Sequence, residues 1–181
     1  MYTGADKTLK TGMIHSWNHA TSTNYEDTCG QIRGSAGGFF PPNKLESSDT
    51  LELFAPDLCR TLIYQSTQNA TKHHNLEGIN YKLPISTFAN ATFNPQNWCF
   101  ANNLPTGLQN ASYCKAKKSP FLYSFPHFYG ADPFYLDQFD SKSDLKPKED
   151  LHSSSMLIEP VSFTISEHFV HKITQPLSFF F

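Results

Sequence analysis

Cys114-Lys115-Ala116-Lys117-Lys118-Ser119-Pro120-Phe121-Leu122-Tyr123-Ser124-Phe125-Pro126-His127-Phe128-Tyr129-Gly130-Ala131-Asp132-Pro133 is the stretch that decides the reading of this chain. A cysteine opens it and a basic turn follows. The run Phe121-Leu122-Tyr123-Ser124-Phe125 predicts a strand, because aromatic side chains favour a pleated, half-buried surface. Pro126 ends that strand, since proline has no N–H to give to a ladder. Gly130 and Asp132-Pro133 then predict a turn.

Outward from this stretch, the composition narrows the class. The chain has 181 residues, long enough for a domain with a real core. A formal net charge of −2 gives no reason to expect nucleic acid or an anionic membrane surface as a partner. Aromatic residues make up 14% of the chain and charged residues only 17%, which suits an irregular, β-rich globular protein better than a disordered one.

Four cysteines, Cys29, Cys59, Cys99 and Cys114, fit two disulfides in any of three pairings. No Cys-x-x-Cys spacing occurs, so a zinc site is not expected. Three glycosylation sequons begin at Asn69, Asn90 and Asn110; Asn94 precedes Pro95 and is not one. Together these features predict a setting outside the cytosol. Yet the first residues have neither a basic start nor an apolar core, and no run of about 20 apolar residues occurs anywhere. The expectation is therefore a piece of a longer protein that enters the secretory route.

Along the chain, Met13, Ile14 and Trp17 predict a strand ending near Trp17-Asn18. Gly34, Gly37 and Gly38 predict a surface loop. Leu51–Phe54 and Leu62–Tyr64 predict strands on either side of a turn at 55–60. The polar residues 65–78, with His73-His74, predict an exposed loop. Residues 140–152 predict a loop or short helix, and Met156–Pro160 a strand.

Several of these segments resemble the class B scavenger receptors. The resemblance rests on Cys114 with Ser124-Phe125-Pro126-His127-Phe128 and Ala131-Asp132, and on Trp17-Asn18, Asp57-Leu58-Cys59-Arg60 and Phe88-Ala89-Asn90. Asn94 to Phe100, Leu145-Pro147-His152 and Met156 to Pro160 add to it. His19 stands where the family usually has glycine, and Arg33 where many relatives carry a glycosylated asparagine. A third family bridge is missing both of its cysteines, one of them at Ala101. The resemblance spans residues 2–161 and leaves 162–181 as a divergent tail outside the family fold.

The resemblance implies a mainly β fold with short helices (α+β). Residues 1–161 would be the C-terminal half of an antiparallel β-barrel ectodomain with a hydrophobic tunnel. It implies the bridges Cys29–Cys99 and Cys59–Cys114. It implies a membrane glycoprotein receptor, not an enzyme, that binds and takes up lipids, lipoproteins or other anionic or lipid-bearing ligands and particles at the extracellular side of the plasma membrane. The alternatives are a lysosomal trafficking receptor, lumenal side, that escorts a partner enzyme, and a truncated inactive product. Membrane helices of the parent protein would lie outside this chain.

Each residue singled out has a plainer reading. Phe121, Leu122, Tyr123 and Phe125 either pack a core or line the tunnel. His127 is expected to be a packed, hydrogen-bonded side chain, because no partner stands at metal-ligand spacing. Lys115, Lys117 and Lys118 read as wet surface before they read as an anion site. No nucleophile elbow, phosphate loop or HExxH helix occurs, so neither catalytic residues nor a metal or cofactor is expected.

Overall fold

The computed structural model describes residues 1–3, 5, 10–41, 49–73, 76–101, 103–114, 121–139, 145–160, 162 and 164–170, with residues 68–73, 76 and 166–170 described by backbone alone. Lys115, Lys117, Lys118 and His74 lie outside the described residues. The chain divides into two compact units, one of Met1–Pro84 with Ser155–Phe169, the other built on Ile85–Ser154.

The first unit is organised on an antiparallel sheet. Its strands are β1 (Thr50–Ala55), β2 (Arg60–His73) and β3 (Leu76–Lys82), then β6 (Ser154–Glu159) and β7 (Thr164–Val170), in the spatial order β1-β2-β3-β6-β7. Residues 56–59 turn β1 into β2, with the Leu58 N–H on the Ala55 carbonyl at 3.1 Å and the Cys59 N–H on that of Pro56 at 3.3 Å. Leu51 lies opposite Tyr64 and Leu53 opposite Leu62. On the far side of β3, Tyr81 pairs with Met156 and Ile79 with Ile158. Leu51, Phe54, Leu62, Tyr64, Tyr81, Met156, Leu157 and Ile158 form the buried face work of this unit. β6 buries Met156, Leu157 and Ile158 in succession, the pattern of a strand covered on both faces. Leu157 lies across β3, where a Cβ on Gly78 would come within 2.7 Å of its Cγ.

An edge strand with open N–H and C=O groups invites foreign pairing. Here β1 is covered by the chain around Ser35. The Ser35 N–H donates to the Glu52 carbonyl at 2.7 Å, and the Phe54 N–H donates back to that of Ser35 at 2.9 Å. Residues 12–14 lie on the other side of this segment, with Ile14 N–H on the Gly34 carbonyl at 2.8 Å. The Ser35 hydroxyl, buried, donates to the Phe39 carbonyl at 2.6 Å and accepts the Gly37 N–H at 2.9 Å.

Four expectations are corrected. Residues 65–73 and 76–78 are not a loop: they continue β2 and open β3, which pair antiparallel. Backbone ladder bonds hold the polar end of β2 against β3 without an apolar pattern in β2 itself. The register shifts between Ser66 and Ala70, and the Thr67 hydroxyl donates across this break to the Asn80 carbonyl at 3.1 Å. The segment around Met13 and Trp17 forms isolated bridges, Met13 to Ser35 and Trp17 to Ala20, and no strand. Gly34 is buried and not on a surface loop; at φ +87° its missing Cβ leaves room for the Glu52 carbonyl, which would stand 2.6 Å away. In the second unit the run 121–125 shortens to the two-residue strand β5 (Leu122–Tyr123).

Trp17 and Ala20 exchange both backbone hydrogen bonds, at 2.9 and 3.0 Å, around Asn18 and His19. Both central residues have positive φ, 49° and 63°. That is the conformation of a tight primed hairpin turn. His19 adopts it although it lacks the freedom of the glycine expected there.

The second unit is mostly turns. Among its described residues are the short strand β4 (Gln109–Asn110), paired antiparallel with β5, and three single-turn α-helices, α1 (Trp98–Ala101), α2 (Pro133–Asp137) and α3 (Glu149–His152), beside several 3-10 turns. Leu108, Phe128 and Tyr135 form one buried cluster. The fold class is mainly β with short helices, as expected. Strand β7 falls within the residues set apart as a tail and is the last strand of the sheet order. Among the described residues no helix is long and apolar enough to cross a membrane.

Candidate functional site

The Ser124–Tyr129 hexamer is a strained corner. Pro126 opens a 3-10 turn over Pro126–Phe128 that follows Phe125 in extended conformation. His127 and Phe128 then both take positive φ, 51° and 56°. Bulky residues in the left-handed region cost of order 1–3 kcal/mol each. What offsets that cost is aromatic burial on both sides of the corner. Phe125 meets Phe88 edge to face at 4.9 Å and Tyr129 at 6.0 Å. Phe128 stacks on Tyr135 at 5.8 Å with ring planes 10° apart. The corner is therefore a packing device that sends two phenylalanines into the core of its unit.

Of the residues given a tunnel role, Phe125 is 1% exposed, while Phe121 and Tyr123 are half-buried. Leu122 packs against the Leu108–Phe128–Tyr135 cluster. In the first unit, an open cleft beside Ser35, Phe40, Leu51 and Ile63 holds about 160 Å³. Small-molecule sites usually fill about 300–1,000 Å³, so this cleft alone does not accommodate a lipid.

His127 is packed, as expected, but not fully satisfied. Its ring lies on that of His152 at 4.1 Å, 13° from parallel. Its Nδ1 is buried with no hydrogen-bond partner among the described residues. His152 Nδ1 accepts the Lys148 N–H at 2.8 Å and so holds the start of α3.

Downstream, Gly130 has φ 71° and passes Ile85 so closely that a Cβ would stand 2.4 Å from its Cγ2. The Asp132 carboxylate accepts the Phe134 N–H at 2.9 Å and caps α2, with Pro133 in the first turn. The Asp132 N–H reaches the Thr106 carbonyl at 2.8 Å. The Tyr135 hydroxyl donates to the Pro105 carbonyl at 2.9 Å. Burial, and then the Asp132 carboxylate, push the Tyr135 phenol up to about 12. Below about pH 10 the phenol is protonated in both folded and unfolded chains, so this shift adds no pH dependence there. Between about pH 10 and the folded value the unfolded chain gives up the proton and the folded one keeps it. Stability therefore falls as pH rises through that window. Tyr135→Phe is expected to flatten this part of the profile, read by urea unfolding at pH 9 to 11.5.

Asn97 carries no signal in the sequence that would single it out. It is 2% exposed, and its Nδ2 lies 3.1 Å from the Ser86 carbonyl, 3.1 Å from that of Thr87 and 2.7 Å from that of Ala89. One amide thus ties the 85–89 segment to the start of α1, two residues before the buried Cys99. Asn97→Asp turns a donor into an acceptor facing three carbonyls. The expected loss is about 3 kcal/mol, measured by denaturant unfolding, against about 2 kcal/mol for Asn97→Ala.

All four cysteines are disulfide-bonded, and no free cysteine stands among the described residues. Cys29, Cys59, Cys99 and Cys114 are each buried. Cys59 has φ 50° at the β1–β2 turn, and its carbonyl accepts the Thr23 hydroxyl at 3.1 Å. Of the sequon asparagines, Asn69 lies in β2 beside the register shift, Asn90 in a turn and Asn110 in β4. Asn90 Oδ1 accepts the N–H groups of Thr92 at 3.1 Å and Phe93 at 3.3 Å. Asn110 Oδ1 accepts the Ser112 N–H at 2.9 Å.

The first unit is an antiparallel β scaffold, the second carries a short aromatic corner, and all four cysteines are oxidised. The CD36 family model matches residues 1–168, and the chain belongs to that family. Its relatives are class B scavenger receptors. It is 38% identical over 167 residues to Protein peste of Drosophila melanogaster, covering 88% of this chain and 28% of that protein. It is 32% identical over 164 residues to Lysosome membrane protein 2 of Rattus norvegicus, covering 88% and 33%. Against Scavenger receptor class B member 1 of Sus scrofa the figures are 31% over 169 residues, 90% and 31%. The chain thus spans about a third of the length of these curated relatives. The match runs to residue 168, into β7.

Proposed function

We propose that this chain is part of the extracytoplasmic portion of a class B scavenger receptor that binds and takes up lipids, lipoproteins or lipid-bearing particles at the cell surface. The observation that carries the proposal is the family match over residues 1–168. The oxidised state of all four cysteines supports the side of the membrane, since disulfides persist where the medium is oxidising. Within this reading the bridges are Cys29–Cys99 and Cys59–Cys114. Asn69, Asn90 and Asn110 carry N-linked sugar. Phe121 and Tyr123, half-buried beside the core residue Phe125, face the apolar conduit of the parent protein. The protein does no covalent chemistry of its own: its work is recognition and transfer of apolar cargo.

The test is uptake of fluorescent-lipid-labelled lipoprotein by cells expressing the parent protein. Uptake above that of vector-only cells is expected, and uptake equal to theirs would refute the reading. A second reading, escort of a partner enzyme to the lysosome, is favoured by the 32% identity to Lysosome membrane protein 2. Surface biotinylation separates the two. A mostly surface pool supports uptake, and a mostly lysosomal pool supports escort.

A further inference from the structure

We infer that Phe93 is the platform on which the first N-acetylglucosamine of Asn90 rests. The inference depends on the proposed glycosylation of Asn90 and goes beyond it by assigning a protein contact to the sugar.

The turn after Asn90 is closed twice over. The Phe93 and Asn94 N–H groups donate to the Asn90 carbonyl, at 3.1 and 2.9 Å, which is one helical turn. The Asn90 side-chain oxygen takes the N–H groups of Thr92 and Phe93 as well. Asn90 caps this turn with its side chain folded over the N–H groups of Thr92 and Phe93, and Phe93 is the turn's third residue, so both side chains leave from the same end of the turn. The side-chain oxygen is already committed to the backbone, and the nitrogen of the same amide is the atom a sugar would occupy. Glycosylation leaves both side-chain hydrogen bonds of the turn intact.

Phe93 is 75% exposed, more than any other large apolar side chain among the described residues. An exposed phenylalanine alone needs no explanation. This one is fixed beside a sequon by a turn that cannot easily move. Phe88, two residues before Asn90, is 1% exposed, and Asn94 Nδ2 ties the far side of the turn to the Ser86 carbonyl at 3.0 Å. A flat apolar face held in place loses little freedom on contact. The matching surface on a β-linked N-acetylglucosamine is the face formed by its axial C–H groups. Ala91, between the sequon's asparagine and threonine, is too small to stand between ring and sugar.

The experiment uses the full chain secreted from a eukaryotic cell, with site-specific glycopeptide mass spectrometry. Native glycan release from Asn90 by a peptide N-glycosidase is timed in wild type, Phe93→Ala, Phe93→Leu and Phe93→Tyr. Covering about 40 Å² of ring corresponds to about a fivefold slower release. Phe93→Ala is expected to release the Asn90 glycan about fivefold faster, Phe93→Leu to fall nearer to alanine, and Phe93→Tyr to match wild type. Release from Asn110 serves as the fold control and is expected to be unchanged. If both glycans are released faster in the alanine variant, its fold is perturbed and the leucine–tyrosine comparison decides. An occupied Asn90 that is released equally fast in the leucine and tyrosine variants would overturn the platform while leaving glycosylation standing. An Asn90 that carries no sugar would overturn both.

Discussion

Replacing Cys29 and Cys99 together by alanine is expected to lower the unfolding free energy by about 4 kcal/mol. The proposed bridge between them spans 99 − 29 = 70 positions, and that between Cys59 and Cys114 spans 114 − 59 = 55. In the chain-entropy picture each link restricts the unfolded chain by a similar amount, because the effect grows only with the logarithm of loop length. Removing the Cys59–Cys114 pair therefore has nearly the same effect. Folded proteins hold a margin of about 5–15 kcal/mol, so either loss takes a large share of it. Guanidinium unfolding of the double-alanine variants under non-reducing conditions gives the numbers. A loss under about 1 kcal/mol for both pairs would mean that the frame is not what holds the fold.

Gly107→Ala is the second large effect, expected at about 3 kcal/mol. Gly107 has φ +111°, where an L side chain is strained, and a Cβ there would stand 2.1 Å from the Ala131 Cβ and 2.3 Å from its Cα. The Ala131 side cannot give way. Its N–H is held by the Phe128 carbonyl at 2.9 Å, and its neighbour Asp132 is tied to Thr106 and caps α2. Overpacking of this kind costs about 1–3 kcal/mol before the backbone strain is added. Gly38 supplies the control, because a Cβ there meets nothing within 4 Å. Gly38→Ala is expected to leave the melting temperature within about 1–2 °C of wild type, whereas Gly107→Ala lowers it by about 10 °C or more. Equal melting temperatures for the two variants would refute the packing argument at Ala131.

The contrast between these glycines marks what is legible in a sequence. Gly38 reads as a loop residue and Gly107 carries no signal of its own in the sequence; only the neighbours in space show which of them has no room for a side chain. Where local pattern and burial agree, the elements can be read directly. Leu51–Phe54, Leu62–Tyr64 and Met156–Glu159 are strands because their apolar residues meet a covered face. The pattern fails where the backbone does the work. The part of β2 past Gln65 is polar, and its pairing with β3 lies in ladder bonds that leave no periodic trace in its own sequence. The aromatic corner is legible as a motif and not as a shape. Nothing in Pro126-His127-Phe128 announces two successive left-handed residues, since such side chains ordinarily avoid that region. Asn97 was hidden for a similar reason, because its carbonyl partners lie 8 to 11 positions away and carry no side-chain signature. The cysteine residues were legible as a set because oxidised pairs leave an even count. The choice among three pairings comes from the family resemblance.

The most direct measurement is a non-reducing peptide map of the protein taken from its native cell. One linked peptide pair joining Cys29 to Cys99 and another joining Cys59 to Cys114 are expected. Any other pairing, or a free thiol at any of these four positions, would contradict the claim that this chain is a disulfide-framed part of a scavenger receptor outside the cytosol.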